Sequence, residues 1–132
     1  MLDYKDYVEV RKTIDELMEK SKNGAVIVVE GVKDRKSLRD LGVEGEIIVL
    51  TSCTDVVDKI RGKDVVILTD YDDRGNKIEK TLVKKFSSWG ITPDVQIKRK
   101  IFRFVSKDIT AVESLSKYLD KVEYELKNKK VL

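Results

Sequence analysis

The chain has 132 residues, of which 41% are hydrophobic and 39% are charged, a composition typical of one globular domain with a heavily charged surface. It contains no histidine and a single cysteine, Cys53, which excludes histidine-dependent catalysis, an internal disulfide and a zinc site of several cysteines. The net charge of +3 is too small to indicate a nucleic-acid binder by itself. No apolar run approaches about 18 residues and no signal peptide is visible, so we expect a cytoplasmic protein without a membrane partner.

Helical segments and buried strands alternate along most of the sequence. Apolar residues recur at helical spacing between residues 4 and 22, which predicts an N-terminal helix. Three short apolar stretches then predict strands, at 25–30, 46–51 and 64–70. The alternation predicts an α/β fold, with a central, mainly parallel sheet of about four strands flanked by helices. We expect residues 1–132 to form one domain.

After the third strand the sequence predicts a helix over 76–89, and then a less regular segment with one or two further strands between 94 and 108. That segment interleaves phenylalanines with basic residues, and the basic residues include Lys98, Arg99, Lys100 and Arg103. The pattern is typical of a nucleic-acid surface, or of an edge strand blunted by charge whose phenylalanines face the core. A last helix is predicted over 110–127, where Thr110 and Glu113 match a capping box.

Two of the predicted strands end in carboxylates. The first is followed by Glu30 and Gly31, and the third runs into Asp70-Tyr-Asp72-Asp-Arg-Gly75. Parallel sheets bind ligands at the carboxyl ends of their strands, so both acidic ends are expected on one edge. Alternate residues of an extended segment share a side, which lets Asp70 and Asp72 converge on one ion. Their oxygens suit Mg²⁺ or Mn²⁺, whereas the alternative is a charged turn with Asp72 or Asp73 capping a helix.

These two motifs, Glu30-Gly31 and Asp70–Gly75, give the sequence a resemblance to the Toprim domain over roughly residues 24–115. That domain is shared by topoisomerases, bacterial-type primases, overcoming-lysogenization-defect nucleases and a small ribosomal-RNA maturase. The chain resembles the small stand-alone archaeal members, which are related to the primase and maturase branch. Tyr71 departs from the pattern, because that branch usually has proline there, and Asp73 adds a further carboxylate.

The resemblance implies a Rossmann-like fold of the Toprim type and phosphoryl transfer that depends on Mg²⁺, with Mn²⁺ as an alternative. Glu30 matches the general acid or base and a metal ligand of the family, and Asp70 and Asp72 match its metal carboxylates. Additional acidic candidates are Asp34, Asp73 and Glu113. Candidates for contact with phosphate or nucleic acid are Gly31, Lys33, Arg74, Gly75, Lys77, Lys98, Arg99, Lys100 and Arg103.

The expected function is a metal-dependent nuclease acting on RNA or DNA. The alternative is a nucleic-acid-binding module of replication, repair or RNA metabolism, which is either non-catalytic or dependent on a protein partner for turnover. Phosphatases of the haloacid type and response-regulator receivers also place aspartate at parallel strand ends. Their nucleophilic aspartate normally follows the first strand, where this chain has Glu30, so that class ranks third. A further alternative is a non-catalytic α/β domain whose acidic rim has no function.

Overall fold

The computed structural model describes residues 1–60 and 62–132, and its centre is a parallel sheet of three strands. The strands are β1 (Val26–Val29), β2 (Ile47–Val49) and β3 (Val65–Ile67), in the order β2-β1-β3. Val28 pairs with Ile48 on one side of β1 and with Ile67 on the other. Every residue of β1 is buried, because this strand has a neighbour on each edge and helices over both faces.

Helices cover both faces of the sheet. In the described residues they are α1 (Tyr4–Lys22), α2 (Val32–Asp40), α3 (Cys53–Lys59), α4 (Asp73–Ser88), α5 (Gln96–Val105) and α6 (Leu115–Asn128), with a short 3₁₀ helix at Val112–Ser114. Ile27 and Val29 face the layer that contains α1, α5 and α6, and Val26 and Val28 face the layer of α3 and α4. The predicted class, a parallel sheet flanked by helices, is confirmed. No helix in these ranges is long and apolar enough to span a membrane.

The segment that was expected to add strands forms helix α5 instead. Ile97, Ile101 and Val105 are all buried and lie four residues apart, which is a helical spacing. Sheet pairing in this region is limited to Asp94, whose backbone pairs in parallel with Val66. The Asp94 carboxylate accepts hydrogen bonds from the first two backbone N–H groups of α5, at 2.8 and 3.1 Å, and so starts the helix. The prediction of about four strands was therefore wrong: the described sheet has three.

The last helix also begins later than predicted. Ala111 has an extended backbone with φ −98° and ψ 132°, and α6 starts only at Leu115, after the 3₁₀ turn. The capping box predicted from Thr110 and Glu113 does not form, because Ala111 occupies the cap position and has no side-chain acceptor. The Thr110 carbonyl instead accepts a hydrogen bond from the backbone N–H of Tyr71 at 2.8 Å. This segment is therefore held by the turn that follows β3.

Candidate functional site

The carboxyl ends of β1 and β3 bring acidic side chains together at one edge of the sheet. Glu30 directly follows β1, and its Oε2 accepts a hydrogen bond of 2.7 Å from the backbone N–H of Asp70, shortly after β3. Asp34 lies in the first turn of α2, and Asp72 is the N-cap of α4. The two acidic strand ends thus meet, as the parallel arrangement predicts. We call Glu30, Asp34, Asp70 and Asp72 the acidic edge.

Backbone N–H groups orient the carboxylates of this edge. Asp70 Oδ1 accepts a hydrogen bond from Val112 at 2.8 Å, and Asp72 Oδ1 accepts one from Gly75 at 2.7 Å, which caps α4. Among the described residues, the second oxygens of Glu30, Asp70 and Asp72 accept no hydrogen bond. The cap role that was the alternative for Asp72 is therefore real, and it leaves one of its oxygens for a ligand. The backbone contribution of Val112 has no signature in the sequence.

The charge of the acidic edge is poorly compensated. The pKa of Asp70 is raised to about 6, first by burial and then, against the hydrogen bond from Val112, by the negative charges of Asp34, Glu30 and Asp72. Burial is also the main cause that raises the pKa of Asp34. A cation bound at this edge would be favoured, because it would relieve both the burial of charge and the repulsion between carboxylates.

The donor atoms fit a hard divalent cation. Mg²⁺ prefers oxygen ligands and is usually held by one or two carboxylates together with waters and substrate phosphates. Within residues 1–60 and 62–132, no group of three or more acidic or cysteine side chains is placed to hold a metal ion by itself. The carboxylates of the acidic edge therefore do not form a closed metal cage by themselves.

The two glycines of the motifs have different physical roles. A Cβ on Gly75 would lie 2.0 Å from the carbonyl oxygen of Asp70, so only glycine allows the first turn of α4 to approach that backbone. A Cβ on Gly31 would lie 3.7 Å from Asp34 Oδ2, an ordinary contact. Gly31 uses its backbone N–H to bind Asp34 Oδ2 at 2.9 Å. Close packing therefore requires glycine at position 75, whereas no steric contact requires it at position 31.

Several of the predicted charged residues surround this edge on the protein surface. Lys33 on α2 and Arg74 and Lys77 on α4 are exposed near the starts of their helices. Asp73, the first residue of α4, and Glu113, in the 3₁₀ turn, are exposed as well. All of them can meet a ligand without a change in the core.

The basic residues of α5 do not form one surface. Lys100 is paired with Glu16 of α1 at 2.9 Å, and the Arg103 guanidinium lies 5.0 Å from the centre of the Phe104 ring. Arg99 is half exposed and lies 3.4 Å from a carboxylate of α4. Only Arg99 of these three lines a cleft beside the acidic edge.

The prediction that Lys98 contacts nucleic acid at the surface is wrong. Its side chain is 1% exposed, so it cannot serve as a surface contact to nucleic acid. The ammonium donates hydrogen bonds of 2.9 Å to Thr69 Oγ1 and Asn76 Oδ1 and lies 3.3 Å from Glu79 Oε1. The Thr69 hydroxyl in turn donates to the carbonyl of Gly75 at 2.8 Å. Lys98 therefore joins the end of β3 to α4 from inside the molecule.

The pair of Lys98 and Glu79 is held by charge attraction. Glu79 Oε1 is buried and accepts no hydrogen bond from the described residues, although the Lys98 ammonium is within ion-pair distance. Burial lowers the pKa of Lys98, while the negative charges of Glu79 and, at longer range, Glu30 raise it. The ammonium of Lys98 binds Thr69, which directly precedes Asp70, so Lys98 places a positive charge next to the acidic edge.

The layers of helices and the acidic strand ends define an α/β protein whose site lies at the carboxyl edge of a parallel sheet. No protein-family model matches the chain. It is 50% identical to a UPF0292 protein of Archaeoglobus fulgidus, over 92% of this chain and 96% of that one, and therefore belongs to the UPF0292 family. A UPF0292 protein of Methanosarcina acetivorans is 38% identical over 86% of this chain and 81% of its own length.

A solved structure, described as a putative protein from Aquifex aeolicus, has a similar fold. Its TM-score is 0.68 and its sequence is 31% identical, over 79% of this chain and 95% of that chain. Neither this description nor the family name specifies an activity. The function is therefore argued from the site.

Proposed function

We propose that this protein is a metal-dependent nuclease, in which Mg²⁺ or Mn²⁺ binds Asp70 and Asp72 at the acidic edge. The observation that carries the proposal is the convergence of Glu30, Asp70 and Asp72 at the ends of β1 and β3, where each keeps one carboxylate oxygen that no described residue occupies and that is free for a ligand. Burial and the neighbouring carboxylates raise the pKa of Asp70, which agrees with a place for a cation. The resemblance of the Glu30-Gly31 and Asp70–Gly75 motifs to the Toprim domain supports the same assignment and the finer, Toprim-type description of the fold. Members of that family act on the phosphodiesters of nucleic acids.

The chain would contribute to phosphoryl transfer by holding the ion, by transferring a proton and by binding the phosphate. The ion held by the acidic edge would neutralise charge on the phosphodiester. Glu30 is fixed through Oε2 to the backbone of Asp70, so its Oε1 is available to accept a proton from an attacking water or to donate one to the leaving oxygen. Exposed Lys33 and Arg74 would bind phosphate oxygens. The N-termini of α2 and α4 both lie at this edge, and their partial positive charge favours the same anion.

The test is cleavage of structured RNA, single-stranded DNA and double-stranded DNA with Mg²⁺ or Mn²⁺. We expect Glu30→Gln and Asp70→Asn each to reduce the rate by at least about 100-fold, because one removes a proton-transfer group and the other a charged ligand. Asp120→Asn is the matched control, since it makes the same change at an exposed position of α6. Cleavage that is indifferent to metal, or equal in Asp70→Asn and wild type, would refute the proposal.

A second function is a nucleic-acid-binding module that uses the same acidic edge. The acidic edge would then hold a metal ion and a nucleic-acid phosphate, and turnover would need a protein partner in replication, repair or RNA metabolism. This function predicts metal-dependent binding of nucleic acid without cleavage by the isolated chain. Asp70→Asn would abolish that binding.

The same substitution is expected to stabilise the fold in the absence of divalent cations. Folded Asp70 has a pKa of about 6, above the ordinary 3.8, so the folded chain retains a proton that the unfolded chain loses. Wild-type stability therefore falls as the pH rises from about 4 to 6 and stays lower above that range. Asparagine does not ionise and can still accept the hydrogen bond from Val112. The free energy of unfolding of Asp70→Asn, taken relative to wild type, should therefore be greater at pH 8 than at pH 4. After allowance for solvent screening, we expect this increase to be roughly 1 kcal/mol.

Urea unfolding of both proteins at the two pH values, with a chelator present, measures this difference. Because the remaining carboxylates are common to both chains, their titration largely cancels. If the two proteins differ in free energy of unfolding by the same amount at pH 4 and at pH 8, the surroundings of Asp70 do not destabilise its charged carboxylate.

A further inference from the structure

A second feature of the same edge is a cleft that the proposed chemistry does not use. It has a volume of about 250 Å³ and is lined by Tyr71, Asn76, Glu79, Lys80, Lys98 and Arg99. Tyr71 stands between two carboxylates of the acidic edge, and Asn76 lies in the first turn of the helix that Asp72 caps. The cleft therefore borders the acidic edge. Its volume is below the roughly 300–1,000 Å³ of pockets for drug-sized ligands, so it can enclose only part of one nucleotide, such as its base.

Tyr71 gives this cleft a fixed aromatic wall. Its ring is stacked on Phe102, with the ring centres 5.4 Å apart and the planes 7° from parallel. Phe102 is fully buried, so the stack anchors Tyr71 to the core while Tyr71 itself remains partly exposed. Aromatic rings that are held in this way are the surfaces on which unpaired bases stack in single-strand binding proteins.

The electrostatics of the cleft are opposite to those of the acidic edge. Its lining contains three cations, Lys80, Lys98 and Arg99, against the single carboxylate of Glu79. Lys80 and Arg99 are exposed, and the Arg99 guanidinium meets Glu79 only at 3.4 Å, which leaves further N–H groups to bind an anion. Lys98, whose side chain is buried in the cleft wall, adds a further positive charge. The lining of the cleft therefore favours a phosphate, whereas the charge of the acidic edge favours a cation.

Asn76 supplies a directed hydrogen-bond donor. Its Oδ1 accepts a hydrogen bond from the Lys98 ammonium at 2.9 Å, which fixes the orientation of the amide. The Asn76 amide N–H₂ group makes no hydrogen bond with the described residues and is available to a ligand acceptor. An aromatic wall, a donor and two exposed cations are the groups that a nucleotide needs for its base and its phosphate.

We propose that this cleft binds one nucleotide of a single-stranded nucleic acid, with the base against Tyr71 and the phosphate on Arg99 and Lys80. The inference deepens the proposed function, because the neighbouring phosphodiester would then lie at the acidic edge. It also assigns the substrate class. A base inside a duplex is covered by its stacked neighbours and cannot reach Tyr71, so the substrate is a single strand or an unpaired loop.

The test is the binding of a short fluorescein-labelled oligodeoxythymidine, measured by fluorescence anisotropy with a chelator present, so that no metal takes part. We expect Tyr71→Leu to weaken binding about tenfold, because the base loses its stacking partner. Tyr71→Phe keeps the ring and should bind as wild type does. Arg99→Gln should weaken binding and reduce the slope of log affinity against log salt by about one.

Lys100→Gln is the matched control for charge, since it removes one cation from the same helix but from a residue paired with α1. Its affinity should remain within about twofold of wild type. If Tyr71→Leu binds as tightly as wild type, or if the fully paired duplex competes as well as the single strand, the cleft does not bind a base and the inference is wrong.

Cleavage with Mg²⁺, measured in parallel on the same oligonucleotide, separates this inference from the proposed function. Binding that needs Tyr71 without any cleavage would keep the nucleotide cleft and reject the isolated chain as a nuclease. Cleavage that needs Asp70 but proceeds with an unchanged KM in Tyr71→Leu would keep the nuclease and reject the cleft.

Discussion

Lys98→Met is expected to lower the free energy of unfolding by about 3–5 kcal/mol. Methionine fills a similar volume but leaves the buried carboxylate of Glu79 with only the half-exposed Arg99 guanidinium, at 3.4 Å, as its cation, and the poorly compensated charge dominates the cost. The substitution also removes the hydrogen bonds to Thr69 and Asn76. Urea unfolding at neutral pH measures the loss.

Two further variants show whether the buried charge is the cause. In Lys98→Met with Glu79→Leu, both charges are replaced by apolar groups, and we expect most of the lost stability to return. Lys100→Met removes an exposed cation of the same helix and should cost no more than about 1 kcal/mol. A loss below about 1 kcal/mol in Lys98→Met itself would mean that water reaches Glu79 and that the pair is not buried in solution.

The double variant has a second use, because it separates stability from the geometry of the site. It restores an apolar core but not the hydrogen bonds that tie Thr69 and Asn76 to Lys98. Those bonds hold the ends of the turn that carries Asp70 and Asp72. A stable double variant that still binds Mn²⁺ more weakly than wild type would identify Lys98 as a positioning residue for the acidic edge.

Gly75→Ala is expected to destabilise the chain by about 3 kcal/mol or more, in spite of the better helix propensity of alanine. The new Cβ would lie 2.0 Å from the oxygen and 2.8 Å from the carbon of the Asp70 carbonyl. Those atoms belong to the backbone and cannot rotate away, so either α4 or the Asp70 segment must move. Both movements change the distance between Asp70 and Asp72, so metal binding should weaken as well.

Gly31→Ala is the control at the same edge. Its Cβ would make only an ordinary contact of 3.7 Å with Asp34, and the extended backbone at φ −143° accepts any residue. We expect a change of less than about 1 kcal/mol. Thermal unfolding and Mn²⁺ titration of the two variants give the comparison, and equal effects would contradict the steric role assigned to Gly75.

The sheet and its neighbouring helices could be predicted because their signals are local. Alternating helical and apolar segments indicate a parallel sheet, and they place Glu30 and Asp70 at the same edge without any knowledge of strand order. Helix α5 was missed although Ile97, Ile101 and Val105 have helical spacing, because intervening phenylalanines made the segment equally compatible with strands. The Asp94 carboxylate favours the helix over a strand, because it accepts hydrogen bonds from the first two backbone N–H groups of α5.

The parts of the site that could not be predicted depend on contacts between distant segments. Lys98 stands in a run of three basic residues, and nothing in that run marks one of them as buried. Its burial follows from the position of Glu79 on another helix. The backbone N–H of Val112, which holds Asp70, is equally invisible, since every residue except proline offers the same donor.

The main-chain bond between Val112 and Asp70 also connects the acidic edge to the last part of the fold. The 3₁₀ turn that begins at Val112 leads directly into α6, so the segment just before that helix is hydrogen-bonded to a carboxylate whose pKa is raised to about 6. Proton or ion occupancy at Asp70 changes the strength of this hydrogen bond. Hydrogen–deuterium exchange at the Val112 amide therefore follows the state of the Asp70 carboxylate in the unmodified protein.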